Sequence, residues 1–166
     1  GVKIAYVTLQ VGAGTFLPIE TENLNDFKIH KEICEVSRET CETILKTQAA
    51  GKKVWACGTT VTRALETAWQ AAGSQYGRVR LIQPFTGETE LFIQPGYEFR
   101  VVNGMLTNFH QPRSSLLALV SAFASELTPH TNNEKMQALE KIKKAYKFAI
   151  EKKFRLFSYG DLTVIV

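Results

Sequence analysis

Polar side chains directly precede a strongly apolar segment in the second half of the chain. Residues 107–115 (TNFHQPRSS) place a histidine, an arginine, amides and hydroxyls before the apolar run 116–124. Polar groups at the mouth of a buried helix cost free energy unless they are paired, so this cluster favours a site. A capping serine and a turn-forming proline would be a purely structural alternative. That alternative leaves His110 and Arg113 unexplained, because a cation in the first turn opposes the helix dipole by roughly 0.3–1 kcal/mol.

The first of three further loops that follow or precede predicted strands is rich in glycine. A strand predicted at residues 2–11 runs into Gly12, Ala13, Gly14 and Thr15. Glycines permit a left-handed turn or the close approach of a ligand to the backbone. Open α/β sheets bind ligands at the carboxyl ends of their strands, so this loop is a candidate contact. A plain tight turn is the alternative.

The second loop, residues 58–60 (GTT), leads from a short buried strand into a helix. Arg63 and Glu66 lie three positions apart on that helix and hence on one face, where they could form a surface ion pair. Like Arg113, Arg63 is predicted in a first helical turn, where a cation is disfavoured. The two arginines therefore predict an anionic group, a carboxylate or a phosphate, in one shared cleft.

The third loop, residues 157–161 (FSYGD), lies next to the last predicted strand. Asp161 could form a turn, hold a ribose hydroxyl or act as a base. His30 and His110 are the other candidates for proton transfer, whereas His130 is expected to be solvated. No grouping of His, Cys and Asp has metal-ligand spacing, so we predict no metal site.

We predict a single α/β domain over residues 1–166. One domain is expected because a chain of 166 residues that is 45% apolar can bury one substantial core. No apolar run is long enough to span a bilayer, so we predict no membrane association. Cys34 and Cys41, seven apart on a predicted helix, indicate core packing. An odd number of cysteines favours a reduced, cytoplasmic setting.

A strand pattern that starts directly after Gly1 suggests a piece of a longer protein.

The positive charge is concentrated in residues 134–155. This segment has eight basic and three acidic side chains, whereas the whole chain has a net charge of +4. Its apolar residues repeat at helical spacing, which predicts an amphipathic helix with a basic outer face. Such a face can merely solvate the protein or contact a phosphate backbone.

Strands and helices alternate along the chain. We predict helices at residues 31–50, 61–72, 116–124 and 134–155, a polar loop at 128–133, and strands at 2–11, 53–57, 90–94, 99–102, 104–108 and 162–166. This order predicts an α/β fold with a mixed, largely parallel sheet flanked by helices.

Five motifs occur in the order characteristic of one family. They are VGAGTF at 11–16, GTT with RALE at 58–60 and 63–66, FIQPGY at 92–97, TNFH at 107–110, and FSYGD at 157–161. From its first residue to its last, the chain resembles the S-adenosylmethionine:tRNA ribosyltransferase-isomerases of queuosine biosynthesis.

The resemblance implies an unusual transfer reaction. The ribosyl portion of S-adenosylmethionine would be joined to 7-aminomethyl-7-deazaguanine at the wobble position of tRNA and isomerised, giving epoxyqueuosine-tRNA. Adenine and methionine would leave, so S-adenosylmethionine is a consumed substrate and no cofactor is expected. The implied architecture is an α/β domain interrupted by a small β-barrel. The chain would correspond to the carboxyl-terminal half, without the barrel.

The resemblance also implies the site residues. Catalytic candidates are His110, Asp161 and Glu66, with His110 or Asp161 as the base. Arg63 or Arg113 would hold the methionine carboxylate. The expected substrate contacts are Gly12, Gly14, Thr15, Gly58, Thr59, Thr60, Arg63, Tyr97, Asn108, Phe109, Arg113 and Tyr159. Among these, Tyr97 and Phe109 would stack on adenine or the deazaguanine.

Two alternatives to an active enzyme remain open at the level of the sequence. The chain could be a non-catalytic nucleotide- or RNA-binding module that uses the same cleft and the basic helix. It could also be a folded half whose exposed sheet edge pairs with another copy.

Overall fold

The computed structural model describes residues 1–73, 80–126 and 132–166. Within these ranges the strands are β1 (Thr8–Gln10), β2 (Glu32–Val36), β3 (Trp55–Cys57), β4 (Phe85–Thr89), β5 (Gly104–Asn108) and β6 (Leu162–Ile165). The α-helices are α1 (Arg38–Ala49), α2 (Thr59–Ala71), α3 (Ser115–Glu126) and α4 (Asn132–Glu151). The predicted polar loop at 128–133, His130 included, lies largely outside the described residues.

The strands form two three-stranded sheets with the orders β1-β2-β4 and β3-β5-β6. β3 and β5 are parallel, whereas the other described pairings are antiparallel. The α/β class is therefore confirmed, but the expectation of a largely parallel sheet was wrong. In β2, buried and exposed residues alternate, which is typical of an antiparallel sheet with one face toward the core.

The predicted helix at 31–50 is in fact a strand followed by a helix. Its first part alternates with a period of two as β2, and Ser37 then caps α1 by accepting a hydrogen bond from the N–H of Thr40 at 3.2 Å. Cys34 and Cys41 are both buried as predicted, but they lie on different elements. The sequence pattern did not reveal the boundary between strand and helix, because β2 and α1 follow each other without a Gly or Pro between them.

Other predicted strands also changed. The strand at 2–11 is reduced to β1, and residues 90–94 and 99–102 are irregular, while β4 was missed. Residues 100–102 do not form a ladder because their N–H groups bond to the buried carboxylate of Glu66. The strands at 104–108 and 162–166 are confirmed as β5 and β6.

The helices at 61–72 and 116–124 are confirmed as α2 and α3, and α4 packs against α3. α4 ends at Glu151 rather than at the predicted residue 155. The N–H of Phe154 bonds to the carbonyl of Ala149 at 2.8 Å, and Lys153 between them has a φ of 59°, as in a Schellman-type helix end. In the described part of the chain, no helix is long and apolar enough to cross a membrane.

Candidate functional site

Residues from three separate loops line one pocket with a volume of about 90 Å³. They come from the turn after β1, from the end of β5 and the beginning of α3, and from the loop before β6. The lining residues are Thr15, Asn108, His110, Gln111, Ser114, Leu116, Phe157 and Ser158. The first loop, the third loop and the segment that contains His110 therefore meet in one pocket.

A carboxylate behind the pocket holds the turn after β1. Glu32 on β2 accepts a hydrogen bond from the N–H of Gly12 at 2.8 Å and a second from the hydroxyl of Thr15, to the same oxygen. A side chain on Gly14 would overlap the imidazole of His30. Gly14 therefore allows the turn to pack closely against His30, and Thr15 is the residue of this turn that lines the pocket.

Arg63 does not face the pocket. It is buried and forms an ion pair with Glu32, and its second terminal nitrogen donates to the carbonyls of His30 and Thr89, each at 3.2 Å. Burial lowers the pKa of Arg63, and the carboxylate of Glu32 opposes that shift. The position of Arg63 predicted an anionic partner. That partner is the carboxylate of Glu32, a side chain of the protein itself, and not a ligand. The predicted cleft shared by two ligand-binding arginines is therefore corrected.

The GTT loop has a structural explanation as well. Gly58 begins α2 with a φ of 106°, a conformation that favours glycine, and its N–H bonds to the carbonyl of Leu106 at 2.7 Å. Thr59 is buried and Thr60 half-buried. None of these three residues is among the described pocket lining.

Glu66 organises a loop rather than pairing with Arg63. Its fully buried carboxylate accepts the N–H groups of Arg100, Val101 and Val102 at 3.0–3.2 Å and the hydroxyl of Tyr97 at 3.2 Å. Burial raises the pKa of Glu66, and the backbone donors partly counter that effect. These contacts satisfy the buried carboxylate with hydrogen bonds from within the fold. They also hold Tyr97 away from the pocket lining.

His110 lies in the pocket with a defined hydrogen-bond environment. Its Nε2 is 2.8 Å from the hydroxyl oxygen of Thr107, and its backbone N–H donates to the hydroxyl of Tyr146 at 2.9 Å. Burial lowers the pKa of His110 to about 4, so the imidazole is neutral at pH 7 and can accept a proton. The neighbouring Phe109 is buried and contacts the rings of Tyr146 and Phe154 edge-on.

The loop before β6 is closed by Asp161. Its carboxylate accepts the backbone N–H of Arg155 at 2.8 Å and the guanidinium of the same residue at 2.6 and 3.1 Å. The hydrogen bonds from Arg155 hold the pKa of Asp161 below its ordinary value. The side-chain amide of Asn108 donates to the carbonyls of Gly160 and Asp161, which ties the loop to β5. Tyr159 is 95% exposed and lies outside the lining.

Arg113 precedes α3 and is not in its first turn. It has a φ of 54°, and its guanidinium donates to the carbonyls of Ile19 at 3.1 Å and Glu20 at 3.5 Å. Ser114 caps the helix by accepting the N–H of Leu117 at 3.1 Å, as the structural alternative predicted. Arg113 is exposed and directly precedes Ser114 of the pocket lining, but it is not itself among the described lining residues.

Comparison with known proteins decides the family. A family model described as queuosine biosynthesis protein matches residues 1–165. The chain belongs to this family. The family predicted from the five motifs is thereby confirmed.

Two similar proteins allow the length of this chain to be compared with that of its relatives. The chain is 46% identical over 165 residues to a protein of Francisella philomiragia named S-adenosylmethionine:tRNA ribosyltransferase-isomerase. The aligned region covers 99% of this chain and 43% of that relative. It is also similar to the crystal structure of an S-adenosylmethionine tRNA ribosyltransferase from Thermotoga maritima. That match has a TM-score of 0.62 and 35% identity, and it covers 83% of this chain and 42% of the other. The chain thus spans less than half the length of these relatives.

In this member of the queuosine biosynthesis family, sequence reasoning missed two residues near the pocket. Glu32 was assigned to a helix, although an acidic residue on the apolar face of an alternating strand could have marked it. Phe157 belongs to one of the five motifs but had no predicted role, and its ring is the aromatic side chain of the described pocket lining. Within the described residues, no group of His, Cys, Asp or Glu is arranged to hold a metal ion.

Proposed function

We propose that this protein acts in S-adenosylmethionine-dependent ribosyl transfer to 7-aminomethyl-7-deazaguanine in tRNA, with isomerisation of the sugar to give epoxyqueuosine-tRNA. Adenine and methionine leave, S-adenosylmethionine is consumed as substrate, and the reaction takes place in the cytoplasm. The observation that supports this most is the pocket in which Thr15, His110 and Phe157, from three motifs of the family, come together.

We assign the general base to His110. The reaction must remove a proton from the attacking aminomethyl group or from the carbon beside the sulfonium. The imidazole lines the pocket and is neutral at pH 7, and because burial lowers its pKa to about 4, it becomes an effective base only if the bound substrate stabilises its protonated form. Asp161 is less suited because its carboxylate is bound by Arg155, and Glu66 because its carboxylate is enclosed by backbone N–H groups.

Arg113 is the better candidate for the methionine carboxylate. Arg63 is neutralised by Glu32 inside the fold, whereas Arg113 is exposed next to Ser114 of the pocket lining. Its contacts to Ile19 and Glu20 use two of the guanidinium nitrogens. Its remaining N–H groups can bind a carboxylate oxygen.

The experiment measures adenine release from S-adenosylmethionine in a single turnover, with tRNA that carries the precursor base. We expect His110→Ala to slow release by about 10²- to 10⁴-fold, the usual contribution of a general base. The control is His30→Ala, which removes an imidazole outside the described lining. An undiminished rate in His110→Ala would remove this residue from the chemistry.

A second candidate function is a non-catalytic nucleotide- or RNA-binding module. One observation favours it: the chain spans 43% of its Francisella relative. Binding of S-adenosylmethionine and tRNA without adenine release would select this module over the enzyme.

A further inference from the structure

Phe157 combines an exposed aromatic ring with a rare backbone conformation. It lines the pocket, 44% of the residue's surface is exposed, and its φ is 66°. A bulky residue at positive φ is an outlier that persists only where the surrounding structure enforces it, and such residues cluster at ligand contacts.

The loop around Phe157 enforces this conformation from both sides. The N–H of Phe157 donates to the carbonyl of Phe109 at 2.8 Å, and its own carbonyl accepts the N–H of Gly160 at 2.9 Å. A side chain on Gly160 would lie 2.5 Å from the carbonyl oxygen of Arg155 and 2.8 Å from that of Phe157. The turn is therefore tight enough to require glycine, and Asp161 closes it through Arg155.

Contacts with other aromatic rings do not account for the position of Phe157 within the described residues. Phe109 is 4% exposed and contacts two other rings, whereas none of the described ring–ring contacts involves Phe157. The fold thus maintains a strained turn that holds an apolar, planar group against the pocket instead of burying it. Tyr97 and Phe109, the stacking residues expected from the sequence, are engaged elsewhere, Tyr97 with Glu66 and Phe109 in the core.

We propose that Phe157 is the platform on which a purine-type base stacks in this pocket. The identity of the base rests on the proposed function, which offers adenine of S-adenosylmethionine or the 7-deazaguanine of the tRNA. Every base has a π face, so a single aromatic ring suits either source. Gln111 is exposed and lines the same pocket, and its side-chain amide can both donate and accept hydrogen bonds from the edge of a base.

The test measures binding of adenosine, free 7-aminomethyl-7-deazaguanine and methionine to the 166-residue chain by calorimetry. Phe157→Ala and Phe157→Leu should weaken binding of a base by roughly 5- to 100-fold, whereas Phe157→Trp should retain it. The leucine variant keeps an apolar side chain but removes the planar face. Tyr6→Ala is the control, because it removes an exposed aromatic ring that lies outside the lining and outside the five motifs. Whichever base loses affinity is the one that stacks, and methionine should be unaffected.

The proposal that a base stacks on Phe157 would be overturned if Phe157→Ala or Phe157→Leu bound the bases as tightly as wild type does. It would also be overturned if wild type bound neither base. The adenine-release assay separates this result from the proposed function. Adenosine binding that depends on Phe157, without any adenine release by wild type, refutes the enzymatic function and leaves the platform standing. Adenine release that is unchanged in KM and rate in Phe157→Ala refutes the platform alone.

Discussion

Arg63 and Glu32, 31 residues apart in the chain, form an ion pair in the interior, with 8% and 1% of their side chains exposed. The carboxylate also accepts hydrogen bonds from Gly12 and Thr15. One buried pair therefore joins α2 to the turn that supplies a wall of the pocket. Its function is to position that wall, since neither charge reaches the pocket lining described.

Glu32→Gln should destabilise the protein by about 3–5 kcal/mol, because it leaves the guanidinium of Arg63 buried without a counter-charge. The measurement is the free energy of unfolding in urea. Glu35→Gln is the control, since Glu35 lies on the same strand with its side chain exposed. Equal stability of the two variants would show that the pair contributes nothing.

Gly14→Ala should cost about 1–3 kcal/mol of unfolding free energy, because its methyl group would overlap the imidazole of His30. Removing that ring in the double variant Gly14→Ala/His30→Ala should recover most of the loss, a coupling that a double-mutant cycle measures. Gly12→Ala serves as the comparison, since its methyl group would meet nothing closer than 3.8 Å. A cost at Gly14 that persists without His30 would place the constraint in the backbone instead.

The sequence predicts those parts of the structure that depend on interactions between residues close together in the chain. α3 follows from a predominantly apolar run, and the ends of α1 and α2 follow from Gly51 and Gly73, which all act locally. The end of β5 and the loop before β6 meet because these two strands are antiparallel neighbours, whereas the turn after β1 belongs to the other sheet, and no strand pattern predicts that it reaches the same pocket.

Contacts between residues distant in the chain were not predictable. Arg63 looked like a ligand-binding cation because its partner Glu32 lies on another element. Residues 99–102 were predicted as a strand, but the N–H groups of residues 100–102 bond to Glu66 instead of to a neighbouring strand. In both places a buried carboxylate decides the local structure, and no local pattern reveals its partner.

His110 should make the stability of the fold dependent on pH. Its pKa of about 4 in the folded protein lies below the ordinary value of 6.5, so between these values the unfolded chain binds more protons. The stability that it contributes is complete above pH 6.5 and is lost as the pH falls toward 4. After allowance for solvent screening, we expect a loss of about 1–3 kcal/mol across this window. Unfolding of wild type and His110→Gln at several pH values tests this, and parallel pH curves would contradict it.

Charge reversal on α4 tests whether its outer face contacts RNA. Lys143, Lys144 and Lys147 are exposed, although Lys143 and Lys147 lie within 4.0 Å of glutamates on the same helix. The helix also contacts the pocket directly, because the hydroxyl of Tyr146 accepts the backbone N–H of His110. A phosphate backbone that runs along α4 would therefore approach the proposed site.

If these lysines contact phosphates, changing all three to Glu should weaken tRNA binding and reduce the slope of log K against log salt by about 1 for each phosphate that is no longer neutralised. The matched control changes Lys46, Lys52 and Lys53 to Glu, which alters the net charge equally at exposed positions outside α4. A general loss of positive charge would affect both variants alike. An RNA-contacting face requires a clear loss of affinity in the α4 variant alone, and equal salt slopes in the two would show that α4 only faces solvent.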